Sequence, residues 1–311
     1  MSSVYHQLDT WLETINDPTI LVFTTTITEE LVTFLSDEYN FEVTLRLVDD
    51  LPLQLKIQAV KDRFQRIKLL IGELFQRLIL NFHLGNSTDP WRRVQFQYNK
   101  YGKPLLPDAK FQFNSSSSNS IISIVVEHST TNSPVGVDLS HSKQRISPSL
   151  FLEDFEPIFA PSELEYLRAY DNDSQRYFVF NHLWTLKEAY TKLLGSGLNI
   201  ELSDFFFKFG DTSFNVENYY KRIQLKEENG ISEYNVEWYT KVQVDNEGLI
   251  AKKDRFVHSL ERNSESYCHS AILDRGDADL LPVIITIINQ NRSSKLRSFE
   301  VSFLDILKQI Q

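Results

Sequence analysis

Two long predicted helices, one in each half of the chain, limit the fold more than any other feature. From Val60 to Phe82, apolar side chains fall at Phe64, Ile67, Leu70, Ile71, Leu74, Leu78 and Phe82, with Lys61, Arg63, Lys68 and Arg77 on the opposite face. That spacing predicts an amphipathic helix. A second helix is predicted from about Ser174 to Leu194, entered through Asp171-Asn-Asp-Ser and stopped by Gly195-Ser-Gly197. Just before it, Pro161-Ser-Glu-Leu-Glu165 reads as a helix start with Ser162 as the cap and Glu165 three residues on. β-branched runs surround these helices. Leu21 to Ile27, Ile121 to Val126 and Val135 to Leu139 read as strands, followed by Tyr234 to Val244, Arg255 to Leu260, Tyr267 to Leu273, Val283 to Ile288 and Phe299 to Phe303. Strands and helices mixed in both halves argue an α+β (α/β) class. The turn-forming stretch Ser129-Thr-Thr-Asn-Ser-Pro134 divides the chain into residues 1–134 and 135–311. The stretch from Gly210 to Gly230 carries no pattern that assigns it.

The chain has 311 residues, enough for two moderate domains, and 41% of them are apolar, enough for a sizeable core. Lys plus Arg number 32 against 42 Asp plus Glu, a net charge of −10. An acidic chain binds nucleic acid poorly, because phosphate contacts need clustered cations. Cys268 is the single cysteine, which excludes an intrachain disulfide and a cysteine-rich metal site. The segment Met1-Ser-Ser-Val-Tyr-His lacks the basic and apolar regions of a secretory signal, and the apolar run Leu280 to Ile288 is too short to cross a bilayer. A soluble, cytoplasmic protein without a membrane partner is expected.

Four segments carry residues suited to chemistry. In Trp184-Thr-Leu-Lys-Glu-Ala-Tyr-Thr-Lys192, residues four apart share a helix face, so Trp184, Glu188 and Lys192 form one stripe and Lys187 points elsewhere. By itself this also reads as a surface Glu–Lys pair beside a partly buried Trp. In Val135-Gly-Val-Asp-Leu-Ser140, Asp138 is flanked by apolar strand residues; a buried carboxylate needs a metal, a basic partner or a turn to offset its cost. Tyr101-Gly-Lys-Pro104 is a rigid turn that can hold the Lys103 ammonium beside a phosphate, or a plain loop. Phe111-Gln-Phe-Asn-Ser-Ser-Ser-Ser118 offers hydroxyls and amides that can line a phosphate, or a flexible polar loop.

Taken in order, Gly-Lys-Pro, Phe-Asn-x-Ser, Gly-Val-Asp and Trp-x-x-Lys-Glu-x-x-x-Lys followed by Gly195-Ser-Gly-Leu198 resemble the Sfp-type 4′-phosphopantetheinyl transferase family over roughly residues 60 to 200. The element Phe159-x-x-x-Glu163 matches as well, and among the branches the chain is most similar to the fungal enzymes that activate aminoadipate-semialdehyde dehydrogenase in lysine biosynthesis. The resemblance implies two pseudo-symmetric halves with the active site in the cleft between them. It implies transfer of the phosphopantetheine arm of coenzyme A to a serine of an apo carrier protein of the acyl, peptidyl or aminoadipate-reductase type. The metal ligands implied are Asp138 and Glu188, holding Mg²⁺, with Mn²⁺ as an alternative. Glu188 is the implied base toward the carrier serine, and Lys192 the implied partner of the transferred phosphate. Lys103 and Pro104 match the segment that cradles the nucleotide end. Ser116 and Ser117 match the phosphate-lining segment, and Lys61, Arg63 and Lys68 are candidates for the 3′-phosphate. A monomer is expected, since two halves in one chain complete a cleft.

Two positions depart from the pattern. Bacterial members of the family commonly carry Glu two residues after the metal-binding Asp, where this chain has Ser140, and members often carry His after Phe-Asn-x-Ser, where it has Ser117. Two other functions therefore stand beside the transferase: a coenzyme A- or carrier-binding pseudoenzyme, and another Mg-dependent phosphoryl-transfer enzyme such as a nuclease.

Overall fold

A computed structural model describes residues 18–86, 88–129, 132–143, 150–210, 214, 220–222, 230–251, 265–277 and 279–310. The chain opens with β1 (Thr19–Thr26), then three short helices, α1 (Glu29–Phe34), α2 (Glu38–Leu45) and α3 (Leu51–Gln58), and the long α4 (Arg63–His83). A small hairpin, β2 (Gln97–Tyr98) and β3 (Pro104–Leu105), precedes β4 (Gln112–Ser118), β5 (Ile121–His128) and β6 (Val135–His141). Then come α5 (Phe151–Phe155), α6 (Pro161–Arg168), the long α7 (Asp173–Leu194), β7 (Phe206–Phe209) and β8 (Tyr220–Arg222). The last part holds β9 (Ile231–Tyr234), β10 (Val242–Asp245), α8 (Glu247–Ala251), β11 (Tyr267–Asp274), β12 (Val283–Asn289), β13 (Lys295–Val301) and α9 (Phe303–Lys308).

These strands form two main sheets, ordered β4-β5-β1-β13-β9 and β6-β12-β11-β10-β7, with β8 also pairing β11. The chain passes from the first sheet to the second between His128, which ends β5, and Val135, which starts β6. Beyond that point β9 and β13 return to the first sheet, with β13 parallel to β1 from Thr19 opposite Lys295. The central strands read as unbroken apolar runs because both their faces are covered. On β1, Leu21 and Phe23 pack with Ile67, Leu70 and Leu74 of α4, whereas Ile20 and Val22 face the other sheet. On β12, Ile285 and Ile287 meet that same inter-sheet core, and Ile284 and Ile288 turn to Leu186 and Ala189 of α7. The result is four layers, α4, first sheet, second sheet and α7, with each long helix on an outer face.

The first long helix falls where its apolar period places it, and the second where its entry and stop signals place it. Asp62 caps α4 by accepting from Gln65 N at 2.8 Å. Asn172 caps α7, and Gly195, at φ +69°, ends it in the left-handed region that glycine enters without steric cost. At α6 the expected cap shifts by two residues. The cap position is Ala160, and Glu163, not Glu165, reaches back to accept from Ala160 N at 2.9 Å. Pro161 then sits in the first helical turn, where its missing N–H costs nothing. The expected strand Tyr234 to Val244 is two strands in different sheets, β9 and β10, because Ile231 and Val242 join different cores. The strand placed at Phe299 to Phe303 starts earlier, at Lys295, and stops at Val301; Ser302 caps α9 instead. The stretch Arg255 to Leu260 lies outside the described residues. Among the described residues no helix is long and apolar enough to cross a membrane.

Candidate active site

The Gly-Val-Asp segment is β6, an edge strand of the second sheet, and its alternation decides what each residue meets. Val137 and Leu139 enter the inter-sheet core. Gly136, Asp138 and Ser140 point the other way, toward α7. A Cβ on Gly136 would overlap the carbonyl of Ala189 and stand 2.6 Å from Leu193 N, so only glycine lets α7 lie this close to β6. That approach delivers the α7 stripe to Asp138. Lys192 Nζ donates to Asp138 Oδ1 at 2.7 Å and to Ser116 Oγ at 3.1 Å, and Ser116 Oγ donates to the same Oδ1 at 2.9 Å. Trp184, Glu188 and Lys192 are all half-buried along this stripe.

The Phe-Asn-x-Ser segment is not a loop but strand β4, the edge of the first sheet, and it runs beside β6. Asn114 Oδ1 accepts from Val137 N at 3.3 Å, and Ser116 Oγ accepts from Leu139 N at 3.2 Å. Residues two apart on β4 thus serve N–H groups two apart on β6. Side chains, rather than a backbone ladder, join the two sheets at the carboxylate.

Burial pushes the Asp138 carboxyl up, against the pull of Lys192, Ser116 and the Leu139 N–H. Burial and then the charge of Asp138 push Glu188 up, and Lys192 pulls it down. Glu188 thus lies near enough to Asp138 to feel its charge. Among the described residues no group of three or more His, Cys, Asp or Glu is arranged to hold a metal. Two hard-oxygen carboxylates that burial disfavours as anions still fit a divalent cation completed by water and phosphate, the usual habit of Mg²⁺. Ser140 supplies no further ligand: its hydroxyl donates to Asn181 Oδ1 at 3.0 Å, within α7.

A cavity of about 540 Å³ opens between α4 and β4, and Lys68, Gln76, Ser115, Ser116 and Ser117 line it. Ser116 belongs both to this cavity and to the carboxylate cluster. Lys68 Nζ donates to Asn119 O at 2.8 Å, and burial lowers its pKa. Lys61 and Arg63 are exposed at the start of α4 and do not line the cavity; Arg63 Nη1 donates to Ser36 Oγ at 3.5 Å. Pro104 lies in β3, beyond the turn. The Lys103 ammonium is turned away from the cavity and donates to Lys192 O at 2.7 Å and Leu193 O at 3.3 Å.

Lys187, off the stripe, is fully buried and paired with Glu163 at 2.8 Å, and it also donates to Leu202 O and Phe205 O. The helix spacing pointed Lys187 away from the stripe but did not mark its partner. The signal was present in Phe159-x-x-x-Glu163, since a Glu at the third helical position has an N–H behind it to hold. Nothing local in the sequence marked Asn99 or Asn181.

Residues 134–248 match the family model of the 4′-phosphopantetheinyl transferase superfamily. Over 192 residues the chain is 31% identical to the L-aminoadipate-semialdehyde dehydrogenase-phosphopantetheinyl transferase of Candida glabrata, covering 60% of this chain and 69% of that protein. Its namesake in Saccharomyces cerevisiae is 28% identical over 198 residues, covering 62% of this chain and 68% of that protein. The 4′-phosphopantetheinyl transferase Sfp of Bacillus subtilis is 29% identical over 141 residues, covering 44% and 56%. These matches favour neither a nuclease nor a pseudoenzyme. The chain belongs to the 4′-phosphopantetheinyl transferase superfamily, whose members transfer the phosphopantetheine arm of coenzyme A to carrier proteins.

Proposed function

We propose that Asp138 and Glu188 hold a divalent cation, Mg²⁺ by donor chemistry, and that coenzyme A lies along the cavity between α4 and β4 with its pyrophosphate at Ser116. The observation that carries this reading is the double duty of Ser116. It lines the 540 Å³ cavity and donates to Asp138 at 2.9 Å, so a phosphate seated there meets the carboxylate cluster. When bound, the cation would offset charge on the pyrophosphate of coenzyme A and on the adenosine 3′,5′-bisphosphate that leaves when its bridging bond to phosphopantetheine breaks. Lys192 contributes the positive group at Asp138 and Ser116, placed to meet an oxygen of the transferred phosphate. Glu188 takes the proton from the attacking serine of the carrier. Ser117 and Lys68 face the same cavity and serve the phosphates, Lys68 as the cation for the 3′-phosphate.

The carrier proposed is aminoadipate-semialdehyde dehydrogenase, on the names of the two fungal relatives. Ser116 of the first sheet meets Asp138 of the second within one chain, so one copy suffices, and a cytoplasmic location suits the buried, unpaired Cys268. The test is intact-mass spectrometry of apo carrier domains incubated with the protein, Mg²⁺ and coenzyme A. One phosphopantetheine is added to the aminoadipate-reductase carrier faster than to an acyl carrier protein. Glu188→Gln abolishes the addition and leaves the thermal melt intact. Transfer at the normal rate by that variant would overturn the role of Glu188, and a faster acyl carrier would overturn the choice of target.

A further inference from the structure

The turn that carries Gly-Lys-Pro does not present its ammonium to the cavity. It grips the end of the helix that carries Lys192. A helix leaves its last carbonyls without intrahelical donors and with partial negative charge. At α7, Gly195 N and Ser196 N return to Lys192 O and Thr191 O at 3.2 and 3.1 Å. Three further hydrogen bonds arrive from the other half of the molecule. Lys103 Nζ donates to Lys192 O and Leu193 O, and Asn99 Nδ2 donates to Gly195 O at 2.7 Å.

The hairpin is itself built to hold these two donors. Asn99 Oδ1 accepts from Tyr101 N and Lys103 N, both at 2.9 Å, and Gly102 turns the chain at φ +86°. Strands β2 and β3 close behind it, with Gln97 opposite Leu105. The fit is tight: a Cβ on Gly195 would stand 2.9 Å from Asn99 Nδ2 and 3.0 Å from Lys103 Cδ. The Lys103 side chain is thereby spent on the backbone of the residue whose own side chain reaches Asp138.

We propose that the 97–105 hairpin is a trans cap for α7, and that Asn99 and Lys103 are positioning residues that set where Lys192 meets Asp138. This rests on the reading of Lys192 as a participant in transfer. Lys103 acts through the helix, and the nucleotide is held by other groups. A cap supplied across the seam also ties the placement of Lys192 to the closure of the two halves, since loosening the hairpin frees the last turn of the helix.

Steady-state kinetics with coenzyme A and an apo carrier, paired with amide hydrogen exchange, separate this role from a ligand role. Lys103→Met lowers kcat about tenfold or more, as small misplacements of a reacting group do, while KM for coenzyme A moves by less than about twofold. Exchange at the Gly195 and Ser196 amides rises in the same variant. Asn99→Ala, which removes the bond to Gly195 O, gives a smaller change of the same kind, and Lys103→Arg restores part of kcat. If Lys103→Met does not fold, Lys103→Gln and Asn99→Ala carry the same test. A rise in KM for coenzyme A with kcat and exchange unchanged would make Lys103 a ligand and overturn the proposal. So would full activity with normal exchange. Lys192→Met is run alongside: if it keeps full activity, the underlying reading of Lys192 fails, whereas the exchange result still reports the cap.

Discussion

The α-carbon of Gly136 lies against the carbonyl of Ala189, leaving no room for a methyl group between strand β6 and helix α7. Both groups are backbone, so neither can swing aside, and any larger residue must push the helix off the strand. Gly136→Ala should cost about 3 kcal/mol or more, toward the upper end of overpacking penalties, seen as a lower midpoint in urea. Transfer activity should fall further than stability alone accounts for, because the displaced helix carries Glu188 and Lys192 away from Asp138. A variant with wild-type stability and rate would mean that the two elements can separate at no cost.

Lys187 and Glu163 form a buried ion pair in which every polar atom is engaged: Glu163 also accepts from Ala160 N and Phe207 N, and Lys187 donates to two carbonyls. Burial pushes the Lys187 ammonium down and the Glu163 carboxyl up, and each partner opposes the shift of the other. Removing one partner strands the other charge. Lys187→Met should therefore destabilise by about 3–5 kcal/mol, and Lys187→Met/Glu163→Gln by less than the sum of the singles. A double-mutant cycle in denaturant measures this; additive losses would show that the two side chains do not interact.

Asn114 holds an edge N–H of β6 that no strand pairs. Asn114→Ala leaves Val137 N without that acceptor beside the site and should cost about 1–3 kcal/mol. Ser115→Ala, one residue along on the exposed face, should cost nothing measurable by thermal melting. Equal losses from the two would refute the seam as described.

Glu127, buried on β5, accepts from Ser294 Oγ at 2.8 Å, and burial pushes its carboxyl up to about 7 against that bond. A folded-state pKa above the unfolded one means that the folded chain holds its proton more tightly. The stabilising contribution is complete below about pH 4.5 and is lost as pH rises through about 7. Glu127→Gln removes the titration, so stability of the wild type relative to this variant should decline between pH 5 and 8 by up to about 3 kcal/mol. A flat difference across that range would place the carboxylate in contact with water or a cation.

The cap and glycine stop located α7, and periodicity located α4, because an amphipathic helix must put its apolar stripe against a sheet wherever that sheet comes from. The same logic put Trp184, Glu188 and Lys192 on one face, since 3.6 residues per turn leaves no other arrangement. The cap of α6 was misread because both Ser162 and Glu165 suit a capping box, and the choice between registers depends on Phe207 N and Lys187 waiting for Glu163. The strand expected from Tyr234 to Val244 was divided because its two ends pack into different cores, a difference that no local pattern carries.

The linear order of residues determined on its own which side chains can act together within one helix or strand: the glycine, the aspartate and the serine alternating on β6, and Glu188 and Lys192 one turn apart on α7. Tertiary packing alone decided what those groups face. It set Ser116 between cavity and carboxylate, committed Lys103 to the helix end, and left Lys61 and Arg63 in solvent. Spacing along a chain fixes the direction of a side chain relative to its own backbone, whereas its partner depends on which distant segment the hydrophobic cores draw alongside.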